Sequence, residues 1–251
     1  MTTTLAKDLE QARGLVRDRI IVALDTDTQA EAMELVDVLG DQIRYFKIGY
    51  RLFTRYGPQI LEECARRGVE VFLDLKLYDI PSVVGRACAQ IATHEAVFLT
   101  TVHASGGAEM VAAAVEGARS AGEENAPSVV AVTALTSFSE KNLPDIGVST
   151  GVRQWASKLG ALAIESGADG LVSSTKEVPE FRQHHGQAPI LVTPGIRLPD
   201  VLVAGDDQSR TATPARALSL GSSFLVMGRP IYQAPDPSQV VEAIAESLVA
   251  K

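Results

Sequence analysis

The chain has 251 residues, 46% apolar and 22% charged, a balance that gives a water-soluble fold enough core for one large domain. Its 31 acidic residues outnumber 23 basic ones, and the net charge of −8 argues against nucleic acid or an anionic membrane as partner. An anionic ligand would have to be held by local positive charge. No run approaches the ~20 apolar residues of a membrane span. The opening 16 residues mix Lys7, Asp8, Glu10 and Arg13 and do not read as a signal peptide. Cys64 and Cys88, the only cysteines, sit in apolar, helix-like surroundings and read as reduced core residues, so a cytoplasmic protein is expected.

In chain order, a short helix is expected over about residues 4–16, then strands near 20–25, 43–48, 69–74, 97–103, 128–133, 170–173, 190–193 and 224–227. Amphipathic stretches lie between them at 29–39, 58–67, 82–93, 108–120, 151–166 and 178–185, and another follows at 238–250. Strands with continuous rather than alternating hydrophobicity are buried on both faces, as in parallel sheets. Strand–helix units run the whole length without a break in composition, which predicts one domain over residues 1–251. Eight such units fit a closed (β/α)8 TIM barrel, an α/β fold, better than an open doubly wound sheet. No G-x-G-x-x-G follows the first strand, which removes the commonest support for a dinucleotide fold. Residues 136–150 and 198–213 are longer than connectors require and are expected to be lids over a ligand.

In a barrel the carboxyl ends of all strands meet at one mouth, so end-of-strand residues can be pooled. Asp25 ends the first strand, Lys47 the second, and Asp74 with Lys76 the third; Asp79 lies just beyond. On an extended strand Asp74 and Lys76, two apart, leave by the same face. Each has a duller reading: Asp25 and Asp79 are suited to cap the helices that follow them. Lys47 between Phe46 and Ile48, and Lys76 between two leucines, are harder to dismiss as surface residues. Carboxylates beside Lys76 keep it protonated, so it reads as a proton donor and fixed positive charge rather than a Schiff-base nucleophile. Lysines among the carboxylates also make a divalent-metal site a poor fit.

The last two strands run into Val192-Thr193-Pro194-Gly195-Ile196-Arg197 and Met227-Gly228-Arg229-Pro230. Glycine lets a backbone N–H approach an anion, barrels often seat phosphate after strands seven and eight, and Arg197 and Arg229 supply charge-assisted hydrogen bonds. Outside a barrel, Gly-Arg-Pro is only a turn before a helix.

Together these residues resemble the orotidine 5′-phosphate decarboxylase family, over nearly the whole chain. The resemblance runs from Ile21-Val22-Ala23-Leu24-Asp25 through Phe46-Lys47-Ile48-Gly49 to Gly228-Arg229. Its most specific piece is Asp-x-Lys-x-x-Asp-Ile-Pro, here Asp74 to Pro81, and Asp206-Asp207-Gln208-Ser209-Arg210 is similar to the bacterial lid. The resemblance implies a homodimeric barrel that decarboxylates orotidine 5′-monophosphate without cofactor or metal. It implies Lys76 as general acid, Asp74 against the substrate carboxylate, and Lys47 and Asp79 completing a tetrad, with Asp79 reaching across the dimer. It assigns the ribose to Asp25 and Lys47, the pyrimidine to Thr136, and the phosphate to Gln208, the Gly228 amide and Arg229, with Arg197 nearby. Ile80 and Pro194 join them as substrate-binding positions. Two rivals remain: a Mg²⁺-dependent enzyme of the same suprafamily acting on a phosphorylated keto-sugar, which shares Asp-x-Lys-x-x-Asp, and a barrel that binds a phosphorylated ligand without turnover.

Overall fold

The computed structural model describes residues 3–120, 122, 126–198 and 211–249. Eight strands, β1 (Ile20–Ala23), β2 (Tyr45–Ile48), β3 (Glu70–Leu77), β4 (Val97–His103), β5 (Ser128–Val132), β6 (Gly170–Val172), β7 (Ile190–Thr193) and β8 (Phe224–Met227), pair in parallel in chain order. Pairing of β8 back onto β1 closes the barrel and eliminates the open sheet.

The helices are α1 (Thr3–Arg19), α2 (Gln29–Leu39), α3 (Tyr50–Tyr56), α4 (Gln59–Arg66), α5 (Pro81–Ile91) and α6 (Ala108–Arg119), followed by α7 (Val152–Glu165), α8 (Val178–His185), α9 (Pro214–Ser219), α10 (Arg229–Tyr232) and α11 (Pro237–Val249). The sequence pattern did not reveal α3, α9 or α10, which are too short to show a helical period. Helix α1 is longer than expected and packs against α11, where Arg13 ion-pairs with Glu242.

Local sequence explains the starts of the helices that matter for the site. Thr28 caps α2 and makes a reciprocal capping box with Glu31, so Asp25 is not the cap. Pro81 opens α5 at a position where its missing N–H costs nothing; Ile80 is the cap residue, and Asp79 Oδ1 accepts only the neighbouring Ile80 N–H at 2.6 Å. Neither carboxylate therefore has the capping role that its position suggested.

Strand periodicity sorts the core into two layers. Ile21, Ala23, Phe72, Leu99, Val130, Val192 and Val226 pack together inside the barrel. Their strand neighbours, such as Ile20, Val22, Phe46, Ile48, Val71 and Leu73, are buried between the barrel and the helices. The inward series continues by steps of two past the last apolar rung: 21, 23 to Asp25; 72 to Asp74; 99 to Thr101; 192 to Pro194; 226 to Gly228. Tyr45, packed on the inner cluster, leads in the same way to Lys47. Parity thus delivers the polar side chains to the mouth.

The β3–β4 ladder shifts register twice, between Val71 and Phe72 and, more widely, between Leu73 and Leu77. The wider shift leaves Leu73 paired with Thr100 and Leu77 with Val102. Asp74, Leu75 and Lys76 therefore stand opposite Thr101 alone, a bulge with two surplus residues. Lys76 takes φ 47°, the only non-glycine in the left-handed region among the described residues. The strand runs on to Leu77 rather than ending at Asp74, and Lys76 is aimed by this bulge, not by the regular pleat that the sequence suggested.

Candidate active site

At the mouth, the four charged groups of the first three strands form a continuous chain. Lys47 Nζ lies 3.1 Å from Asp25 Oδ1 and 3.8 Å from Asp74 Oδ2, and Lys76 Nζ lies 2.7 Å from the same Asp74 oxygen. Asp74 Oδ2 is thus shared by two ammonium groups. The side chains of Lys47 and Asp74 keep only 12% and 13% of their exposure, against 25% for Lys76 and 42% for Asp25. The inner pair is the anchor, since removing one partner of a buried ion pair leaves a charge uncompensated, at about 3–5 kcal/mol.

The backbone around this chain is held from three sides. Gly49 follows β2 where a Cβ would fall 2.9 Å from Lys47 Nζ, so its missing side chain is the clearance that lets Lys47 reach Asp25. Tyr50 Oη donates to the Leu75 carbonyl at 2.7 Å, and its ring centroid lies 5.9 Å from Lys76 Nζ. Arg51 on α3 donates to the Asp25 carbonyl at 2.6 Å and ion-pairs with Asp27, fixing the turn after β1. Thr101, fully buried on β4, accepts the Lys76 N–H at 2.7 Å and bonds Asp74 Oδ1 at 3.1 Å.

A cavity of about 190 Å³ opens beside Lys47, Asp74 and Lys76. Phe72, Val132, Val172 and Val226 line it as apolar wall, and Thr136 and Pro194 also border it. It is smaller than the ~300–1,000 Å³ of a typical drug-sized site, so it suits a single ring with the rest of a ligand lying across the mouth. A larger concavity, about 720 Å³, lies on the far side of Asp25. Asp25, Asp27, Glu31, Glu34 and Asp236 line it against one arginine, Arg51, a setting hostile to anions.

His103, at the end of β4, stacks edge-to-face on Tyr78 with centroids 5.9 Å apart. Burial, reinforced by the Lys76 charge and opposed by Asp74, pushes its pKa below the ordinary histidine value. Its imidazole is therefore kept neutral.

The other expected residues are spread around and beyond the mouth. Gly228 and Arg229 lie where β8 passes into α10, and Gly228 is packed so closely that a Cβ would come 3.3 Å from Ala23 Cβ and 3.8 Å from Asp25 Oδ2. Arg197 follows Gly195, whose φ of 78° makes the turn after β7; its N–H bonds Ala212 O at 2.9 Å, and Ile196 bridges Ala212. Most of the predicted lid 198–213, including Gln208, lies outside the described residues. Asp79 and Ile80 are exposed and border no part of the ring-sized cavity. In the 136–150 segment, Leu143 is buried and packs with Ala134, Val152 and Ala156.

Thr101 and Arg51 escaped the sequence reading. Thr101 carries no charge, yet the inward step from Leu99 reaches it as surely as the step from Phe72 reaches Asp74. Arg51 lies on a helix too short to be recognised.

Fold and site define a class: a (β/α)8 barrel with an interlocked lysine–carboxylate network at its carboxyl mouth, next to a ring-sized apolar cavity. A family model described as orotidine 5′-phosphate decarboxylase / HUMPS family matches residues 18–244. An orotidine 5′-phosphate decarboxylase of Legionella pneumophila (strain Paris) is 47% identical over 230 residues, 92% of this chain and 99% of its own. One from Klebsiella pneumoniae (strain 342) is 42% identical over 248 residues, 99% of this chain and 98% of its own. The solved orotidine 5′-phosphate decarboxylase of Lactobacillus acidophilus matches with a TM-score of 0.81 at 34% identity, over 92% of this chain and 99% of that one. The chain belongs to the orotidine 5′-phosphate decarboxylase / HUMPS family.

Proposed function

We propose that this protein decarboxylates orotidine 5′-monophosphate to UMP, the last step of de novo pyrimidine synthesis, in the cytoplasm and without cofactor or metal. The observation that carries this reading is the Asp25–Lys47–Asp74–Lys76 chain of contacts at 2.7–3.8 Å beside the ring-sized cavity. The pyrimidine occupies the cavity, with Thr136 and Pro194 at its edge. Asp25 and Lys47 take the ribose hydroxyls.

The C6–carboxyl bond breaks, carbon dioxide leaves, and the bonding electron pair stays on C6. The Lys76 ammonium stabilises that charge as it forms and then transfers a proton to C6; water restores the proton to the lysine for the next turnover. Asp74, next to the departing carboxylate, keeps Lys76 aimed. Repulsion between Asp74 and the bound carboxylate is a ground-state effect and ranks second to stabilisation of the transition state. The Gly228 amide, Arg229, Arg197 and Gln208 hold the phosphate, and the 136–150 and 198–213 segments close over it. Since α10 is a single turn, the grip comes from individual N–H groups and guanidinium charge, not from a long helix dipole.

The protein acts as a homodimer in which Asp79 and Ile80 of each subunit serve the neighbouring site. Tyr78, Ile80 and Val83 support this, being large apolar side chains left 40–62% exposed within four residues of Asp79 in the chain. The test is the loss of orotate absorbance when purified protein meets orotidine 5′-monophosphate, with and without EDTA. Equal rates in both are expected. An unchanged chromophore in both would leave the two rivals, which EDTA-sensitive turnover of a phosphorylated keto-sugar separates: such turnover marks the keto-sugar enzyme, and none marks a binding barrel.

A further inference from the structure

We propose that Thr101 is a positioning residue for proton delivery, acting through Lys76 and Asp74 rather than on substrate. The inference rests on the decarboxylase reading. It starts from the β3 bulge, where three residues of one strand face a single residue of the next, and that residue is Thr101. Ladder hydrogen bonding is interrupted across the bulge, so something else must fix its shape. Among Asp74, Leu75 and Lys76, it is the Lys76 backbone N–H that finds a side-chain acceptor, Thr101 Oγ1 at 2.7 Å.

One hydroxyl has one proton to give, and the roles here are forced. An N–H can only donate, so Oγ1 accepts from Lys76; the carboxylate accepts, so the hydroxyl proton goes to Asp74 Oδ1 at 3.1 Å. Thr101 thereby ties the backbone that carries the ammonium to the carboxylate that aims it. The other Asp74 oxygen closes the loop onto Lys76 Nζ at 2.7 Å. The left-handed Lys76 conformation, φ 47°, is strained for a residue with a Cβ and persists only where its surroundings impose it. Thr101 has no exposed surface and faces the barrel interior, so its hydroxyl cannot trade these partners for water.

The adjacent Thr100 supplies an internal control. It is also fully buried on β4, and its hydroxyl also bonds β3, at the Leu73 carbonyl, 3.3 Å away. It faces the helix layer, and its hydroxyl bonds neither Asp74 nor Lys76. Losing it removes a β3–β4 hydrogen bond without disturbing the reacting groups.

The experiment compares wild type, Thr101→Val, Thr101→Ser and Thr100→Val by kcat and KM for orotidine 5′-monophosphate, and by UMP affinity in calorimetry. Thr101→Val is expected to lower kcat about 10- to 100-fold, the loss typical of a small misplacement of a reacting group. KM and UMP affinity should hold, because the product has no carboxylate to be removed and needs no proton. Thr101→Ser should restore kcat, and Thr100→Val should keep it even if its melting temperature falls. Wild-type kcat in Thr101→Val overturns the proposal. So does a kcat loss equalled by Thr100→Val, or one accompanied by parallel loss of UMP affinity and not rescued by serine. If Thr101→Val is insoluble, Thr101→Cys is read by the same outcomes. A wild-type protein that leaves orotidine 5′-monophosphate intact fails at the decarboxylase reading itself, before any variant is compared.

Discussion

The two halves of the barrel mouth are built differently. Strands β1 to β4 bring charge, and every charged side chain there is already engaged: Asp25 with Lys47, Lys47 with Asp74, Asp74 with Lys76 and Thr101. Strands β5 to β8 bring apolar wall, Val132, Val172 and Val226, and put their polar residues on turns beyond the strand ends, at Arg197 and Arg229. The first half is assembled before substrate arrives. In the proposed function the second half grips the phosphate. Proton transfer demands preorganisation to a few tenths of an ångström, whereas holding a phosphate tolerates motion and gains from closure.

The largest expected effect comes from breaking the first half at its reactive end. Lys76→Ala should lower kcat by about 10³-fold or more, since in the proposed mechanism it removes both the proton donor and the charge that faces C6. Single-turnover decarboxylation measures this, and a loss under tenfold would sink Lys76 as the acid. In the second half, Arg229→Ala should lower kcat/KM about 10- to 100-fold, the worth of one charge-assisted hydrogen bond, with the melting temperature unchanged. Near-normal kcat/KM would remove Arg229 from the phosphate site and erase the contrast between the halves.

The smallest effect concerns His103. Burial and Lys76 depress its pKa, so the unfolded chain, with a histidine near 6.5, takes up a proton before the folded one does. Its contribution to stability is complete above about pH 6.5 and falls away as the pH drops from there toward the depressed folded value. His103→Gln should flatten that part of the urea midpoint against pH curve. An identical slope in the variant would mean that the imidazole titrates alike in both states.

Much of this was legible in the chain itself, and the failures have physical causes. Continuous apolar strands gave the barrel because burial on both faces demands them. Asp25, Lys47 and Asp74 were found because charge is improbable in a buried strand unless the strand is ending. The same logic misplaces the end of β3: charge marks a boundary at Asp74, but at the half-exposed mouth strand geometry continues to Leu77. Asp25 looked like a helix cap, although Thr28 and Glu31 already spelled out the capping box. Thr101 went unseen because a threonine in a β-strand is ordinary by composition. Only its register against a bulge makes it particular, and register is a pairing property that a single strand does not display.

The surplus in β3 has one more consequence. Residues on a regular strand are bound to its alternation, so any slip or twist below would swing a functional group to the wrong side. Lys76 is exempt, being mounted on a loop of slack whose orientation is dictated by the adjoining strand. The amine thus takes its heading from one hydroxyl next door rather than from the hydrophobic staves beneath.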